Sequence, residues 1–283
     1  MGFTAVNSGV VENILRENPH LEALRLNYCN KLRGMNLRKN REEEGDYLLL
    51  ALKELEIAFT EISDEFVEEI CQSCPELQVL KLRQSNIVAP SIRLRSLKQL
   101  DLSLTEIDSF TMYGTLSRCK ELERLEIASV PKIIELSLPY HENLTFLDIS
   151  RSYFEGGELE KLLVALPNLE FLDIGTNKVI TEVVVENHYK LQVLGCNLCA
   201  HLSTMRIINT PALRELQLTA TKNIQELELD CPNVQVVLCD QTSSYCESYL
   251  TSYFNPLGVK VINRQSHANR YLRKVIENDS DDF

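Results

Sequence analysis

The 283-residue chain has no tryptophan, ten glycines and nine prolines. So little Gly and Pro excludes a collagen-like or low-complexity chain, and 44% hydrophobic residues exclude wholesale disorder. No stretch approaches 18 uncharged apolar residues, so no membrane-spanning helix is expected. The opening MGFTAVNSGVVENILREN lacks a basic start and a long apolar run, so it is not read as a secretory signal. Val6 stands where an acylation signal on Gly2 wants Ser or Thr. Positive charge is also scarce: 29 Lys and Arg face 41 Asp and Glu, leaving a net charge of −12. Such a surface repels phosphate backbones and anionic bilayers, so the expected partner is a protein of basic or neutral character, with no nucleic acid and no membrane. No G-x-G-x-x-G, Walker A, G-x-S-x-G or H-E-x-x-H is present, and the expectation is no enzyme, no cofactor and no metal.

What the chain does have is length and a period. It can bury roughly three quarters of its unfolded surface, so a core needs no disulfides. The pattern Leu-x-x-Leu-x-Leu, with other aliphatics substituting, begins at Leu21, Leu52, Leu77, Leu97, Leu122, Leu144, Leu169, Leu191, Leu213 and Val234. The steps are 31, 25, 20, 25, 22, 25, 22, 22 and 21 residues. Across residues 10–240 this resembles the leucine-rich repeat family, most plainly in LEALRLNYCNKL (21–32), LQVLKLRQSNI (77–87), LEFLDIGTNKVI (169–180) and LQVLGCNLCAHL (191–202). A short strand of period two points its two closing aliphatics inward, and the first Leu enters from the incoming loop. One coil cannot bury that face alone, so the coils stack. The resemblance implies an α/β fold, a right-handed horseshoe solenoid with a parallel concave sheet and with helices and short strands on its convex side.

The returning segments come in two kinds. Steps of 25 contain helical stripes over 64–74, 110–119 and 157–166. Within them EISDEFVEEICQSCPELQVLKL (61–82) resembles the cysteine-containing repeats of F-box substrate receptors. Steps of 22 carry a second aliphatic triplet eleven residues out of phase: Ile133-Leu136-Leu138, Ile180-Val183-Val185, Leu202-Met205-Ile207 and Ile224-Leu227-Leu229, joined by Leu32-Met35-Leu37 in the first coil. Those coils are expected to be extended on both faces. Residues 8–17 read as an amphipathic helix with Ser8 at its N-cap, and RKNREEEGD (38–46) as an exposed loop. The whole reads as one domain over 1–283: repeats at 8–240, a C-terminal cap at 241–263, and a helix with an acidic tail at 264–283.

The nine cysteines include two C-x-x-C pairs, Cys71/Cys74 and Cys196/Cys199, a pattern that suits metal or redox chemistry. Their register favours packing. Cys74, Cys119 and Cys231 stand three residues before a repeat's first aliphatic, Cys29 and Cys199 three residues after its last, and Cys196 and Cys239 are themselves third aliphatics. The odd count and these core positions favour a reducing compartment, hence a cytoplasmic location, or a host cytosol for a secreted bacterial effector. His141 and His188 share the slot three before the first aliphatic, which argues against paired catalysis.

The residue between the two inward aliphatics points out of the concave sheet. Down the stack it reads Arg25, Glu56, Lys81, Asp101, Glu126, Asp148, Asp173, Gly195, Gln217 and Leu238. Asp101 to Asp173 are four consecutive carboxylates on strands roughly 4.8 Å apart, closer than the roughly 8 Å screening length of physiological salt. A cationic partner would relieve their repulsion. The column beside it reads Gln99, Arg124, Phe146, Phe171 and Val193, and two outward aromatics beside charges resemble an interface hot spot. Two other readings stand beside this one: Phe146 and Phe171 stacking only on each other, and Arg124 neutralising Glu126 and Asp148. The function expected is non-catalytic protein recognition on the concave face through Lys81, Asp101, Arg124, Glu126, Phe146, Asp148, Phe171 and Asp173. Alternatives are a substrate-recognition subunit of a ubiquitin ligase, its recruiting domain missing from this chain, and a bacterial effector acting on host proteins.

Overall fold

The structure is a computed structural model that describes residues 6–39, 47–135 and 138–262. Most of the 38–46 loop, the 264–283 tail, Gly2 and Leu136 lie outside the described residues. The chain divides into two compact units, residues 2–148 and residues 149–283.

The first unit begins with helix α1 (Ser8–Glu17). Its N-cap is Asn7 rather than Ser8: the Asn7 side chain accepts from the Val10 amide, 3.1 Å away, which leaves Ser8 as the first helical residue. Six three-residue strands follow, β1 (Ala23–Arg25), β2 (Glu54–Glu56), β3 (Val79–Lys81), β4 (Gln99–Asp101), β5 (Arg124–Glu126) and β6 (Phe146–Asp148). All pair in parallel, which sets Leu24, Leu55, Leu80, Leu100, Leu125 and Leu147 in one row. From Leu55 onward each member of that row is at most 1% exposed. On edge strand β1, which has a neighbour on one side only, Leu24 is half-buried.

Helix α2 (Asp64–Ser73) returns the chain between β2 and β3, and α3 (Ser109–Arg118) between β4 and β5. Phe66, Val67 and Ile70 of α2 and Met112 and Leu116 of α3 face the core. Asp108 caps α3 through the Thr111 amide at 2.8 Å. The segment Leu32-Met35-Leu37 is buried but forms no strand, and no strand is seen in the described part of 133–138.

The second unit carries helix α4 (Gly156–Ala165) and two parallel sheets. One holds β7 (Phe171–Asp173), β9 (Val193–Gly195), β11 (Glu215–Gln217), β13 (Val236–Leu238) and β14 (Lys260–Ile262), with Leu172, Leu194, Leu216, Val237 and Val261 in register. The other, on the back of the same coils, holds β8 (Glu182–Glu186), β10 (Thr204–Ile208) and β12 (Glu226–Leu229). The out-of-phase triplets from Ile180 onward form these three strands, and Val183, Met205 and Leu227 pair across them. Helix α4 meets β8 closely: a Cβ on Gly156 would stand 2.5 Å from the Glu182 carbonyl oxygen, so only glycine fits. Helix α5 (Ser244–Phe254) buries Cys246, Leu250 and Phe254, while Tyr249 and Tyr253 are half-exposed.

Every coil uses the same turn, and no glycine. Two residues past the third aliphatic, Tyr28, Phe59, Gln84, Leu104 and Ser129 of the first unit and Arg151, Thr176, Leu198, Ala220 and Gln241 of the second have φ of 50–64°. Left-handed backbone costs an L-residue about 1–2 kcal/mol. It is held because the amide of that residue donates into the next coil, as Leu104 does to Ala128 (2.9 Å) and Thr176 to Asn197 (2.6 Å). One residue further, a buried hydroxyl donates back to the third aliphatic's carbonyl: Ser85 to Leu82, Thr105 to Leu102 and Ser152 to Ile149, each at 2.6 Å. Stacked short parallel strands with an inward Leu row, a fixed turn, and a return by helix or strand are a leucine-rich-repeat solenoid.

Candidate recognition face

The side chains flanking each buried central Leu project from the strand face. In the first unit the projecting carboxylates are largely engaged. Glu56, 7% exposed, lies between Lys81 Nζ at 2.9 Å and Arg25 Nε at 3.8 Å, and Arg25 also holds Glu54 at 2.6 Å. An Asp101 carboxylate oxygen accepts the Ser103 amide at 2.8 Å, a turn that ties the side chain to the end of its own strand. Arg124 Nε donates to Glu126 at 2.7 Å, and its guanidinium carbon sits 3.5 Å over the Phe146 ring. Glu126 fixes the Arg124 side chain and Arg124 covers one side of the aromatic, an ordered cation–π pair. Leu144 and Leu147 are fully buried and Ile149 is 1% exposed, so Phe146 and Asp148 occupy the opposite, outward side; both are half-buried.

In the second unit Phe171 and Asp173 are likewise half-buried and flank the fully buried Leu172. Asp173 accepts the Gly175 amide at 2.7 Å. Its carboxylate lies over Gly195, where a Cβ would come within 2.9 Å of the oxygen, which explains the glycine in that strand. Farther along, Asn197 Nδ2 donates to Gln217 and Gln217 Nε2 to Glu215, both at 2.7 Å. Burial raises the Glu215 pKa, against the opposing donation from Gln217.

The expected carboxylate repulsion is therefore answered inside the protein at Asp101, Glu126 and Asp173, by a neighbouring arginine or by turn amides. Arg25, Glu54, Glu56 and the Asn197–Gln217–Glu215 chain join this face in addition to the residues expected from the sequence. A signal existed. Asn27, Ser103 and Asn197 all follow a third aliphatic, and each accepts the amide of the matching residue one coil on: Ala58 (2.8 Å), Ala128 (3.2 Å) and Thr219 (2.9 Å).

No family model matches this chain, and no curated protein matches its sequence. Solved structures do resemble it. An internalin (inlF) of Listeria monocytogenes is 12% identical with a TM-score of 0.43, covering 82% of this chain and 76% of that one. The functional domain of InlJ, also from Listeria monocytogenes, is 20% identical with a TM-score of 0.47, covering 81% of this chain and 55% of that domain. The leucine-rich repeat domain of APL1 is 16% identical with a TM-score of 0.41, covering 82% of this chain and 71% of that one. This chain thus spans little more than half of the InlJ domain.

The cysteines and two of the histidines are packed into the coils. Burial pushes the thiols of Cys71, Cys119, Cys199 and Cys239 up to about 11 and those of Cys74, Cys231 and Cys246 up to about 12, so they stay protonated and poorly nucleophilic. Cys196, wholly buried, is raised further still, with the Asp173 charge adding to the effect. Among the described residues no group of three His, Cys, Asp or Glu is placed to hold a metal. His141 and His188 each bind a carbonyl of the preceding coil through Nε2, Cys119 at 2.8 Å and Leu166 at 2.9 Å. Burial lowers both imidazole pKa values, the carbonyl bond opposing it, so the neutral Nε2–H donates.

Proposed function

We propose that the protein is a recognition module that binds a protein partner on its strand face. Contacts would be made by Lys81, Asp101, Arg124, Glu126, Phe146 and Asp148 in the first unit and by Phe171 and Asp173 in the second. The observation that supports this most is the Glu126–Arg124–Phe146 arrangement. An aromatic ring and a guanidinium held in one geometry on an outward face lose little conformational freedom on binding, and Arg and aromatic residues are the side chains that dominate interface energetics. With a net charge of −12 and half-buried carboxylates at Asp148 and Asp173, the matching partner segment is basic. The test is affinity purification with the full chain as bait, then titration of the captured partner against variants. Phe146→Ala and the double variant Asp148→Lys/Asp173→Lys should each weaken binding at least about tenfold while the melting temperature holds. Unchanged affinity in both variants removes the proposal.

A further inference from the structure

Between residues 52 and 122 the first-aliphatic positions Leu52, Leu77, Leu97 and Leu122 are separated by 25, 20 and 25 residues. The outer two of these coils return by α2 and α3, but the middle one is five residues shorter and has no helix. Its back is an extended stretch in which Ile92 (0% exposed) and Leu94 (1%) turn inward while Arg93 and Arg95 turn out to solvent. A helix-less coil between two helical ones leaves a trough.

The trough holds a cleft of about 540 Å³ lined by Arg93, Arg95, Ser117, Arg118, Lys120 and Glu121. Beside it, with Arg93 in common, is a second of about 450 Å³ that reaches Ser91, Gln72 and Glu68. Four cations against one carboxylate in the larger cleft invert the charge balance of a chain at −12. They are also unspent. Arg25, Arg33, Lys53, Lys81, Lys98, Arg124 and Lys132 of this unit all have a carboxylate within ion-pair distance; among the described residues Arg93, Arg95, Arg118 and Lys120 have none, nor do Lys31 and Arg83, which do not line this cleft. The bonds the arginines do make are to neutral oxygens: Arg93 Nε to Ser91 Oγ (3.0 Å) and Arg118 to the Gly114 carbonyl of its own helix (3.2 Å). The Arg118 position is accounted for by the carbonyl end of α3, whereas Arg93 and Arg95 belong to another coil.

We propose that this trough is a second binding site, which takes a phosphorylated serine or threonine in a segment of a protein partner. A phosphate dianion offers three oxygens to guanidinium forks that bind it bidentately, and three arginines facing one cleft suit a compact dianion better than a single carboxylate. A long polyanion is disfavoured, since beyond about 8 Å it would run over the acidic remainder of the surface. A single phosphate on a short segment would not. The site is separate from the strand face and does not rest on its function.

The experiment uses the full chain, a degenerate peptide library with a fixed central phosphoserine, and the same library with serine. The phosphorylated library should be retained selectively, and Arg93→Glu/Arg95→Glu should cut retention at least about tenfold, since hydrogen bonds to charged groups are individually strong. Arg93→Lys/Arg95→Lys should keep part of it, and Glu160→Lys on the exposed side of α4 should leave it unchanged. Both arginines are solvent-exposed, so the melting temperature serves as the control for folding. Equal retention of the two libraries, or of the wild type and the charge-reversed protein, overturns the proposal. So does binding only to single-stranded DNA or to phosphatidylserine vesicles, which would make this a different class of site.

Discussion

The coils backed by helices in the first unit and those backed by strands in the second each bury an inner Leu row, in different ways. Coils starting at Leu52 and Leu97 carry helices, whose ends need caps, and Glu56 of the first is bridged to Arg25 and Lys81 of the coils on either side. Coils starting at Leu169, Leu191 and Leu213 carry β8, β10 and β12, whose backbone is satisfied by neighbours, and the face of the last two shows a neutral glycine and an amide chain. A back strand is stable only beside another back strand. That is why Leu32-Met35-Leu37, followed by a coil that returns through α2, is buried without becoming one. A buried inner Leu row thus tolerates a return by helix, by strand or by an extended segment.

The junction between the two kinds of return is the place to break this comparison. In Gly156→Val the new side chain meets the Glu182 backbone, which cannot give way, and is expected to cost about 1–3 kcal/mol, seen as a lower urea midpoint. Gly157→Ala, one residue on with nothing within 4 Å of a Cβ, should instead stabilise by up to about 1 kcal/mol through helix propensity. Equal effects at the two positions would mean that α4 does not pack tightly on β8.

A smaller effect separates the structure from its pH dependence. His141 and His188 have folded pKa values below their unfolded value of about 6.5, so the unfolded chain binds protons first as pH falls. The stability they contribute is complete above about pH 6.5 and is lost as pH drops through the folded values. The melting temperature should therefore fall less steeply between pH 6.5 and pH 5 in His141→Gln/His188→Gln than in the wild type, whatever the level at neutral pH. The smallest effect belongs to the shared turn. Thr176, β-branched at φ 59°, should gain up to about 1 kcal/mol on change to Gly as its backbone strain is relieved. Leu104→Gly should gain less.

The repeat starts were legible from spacing alone, since a Leu every 20–25 residues has no other use than a stacked core. The helices were legible to within one residue: a stripe read at 64–74 is α2 (Asp64–Ser73), with Cys74 as its C-cap. The out-of-phase triplets from Ile180 onward named the back strands; in the first coil and in the described part of 133–138 no strand forms, and among the described residues neither has a back strand beside it. Electrostatics on the strand face was legible in part. Side-chain direction follows from period two, so Glu126 beside Arg124 was visible; that Asp101 and Asp173 would turn onto amides two residues on depends on the left-handed turn, whose only sequence mark is a recurrent Ser, Thr, Asn or Cys. The trough was written in the 20-residue step and in Ile92-Arg93-Leu94-Arg95, but charge in an exposed back segment acquires meaning only when the helices beside it are in place.

Carboxyl footprinting of the protein with and without its captured partner tests the central claim most directly. Protection of Asp148 and Asp173, with Glu160 on α4 and Glu228 on β12 labelled equally in both states, is the result expected of strand-face recognition. Protection of Glu160 and Glu228 with Asp148 and Asp173 unchanged would contradict it.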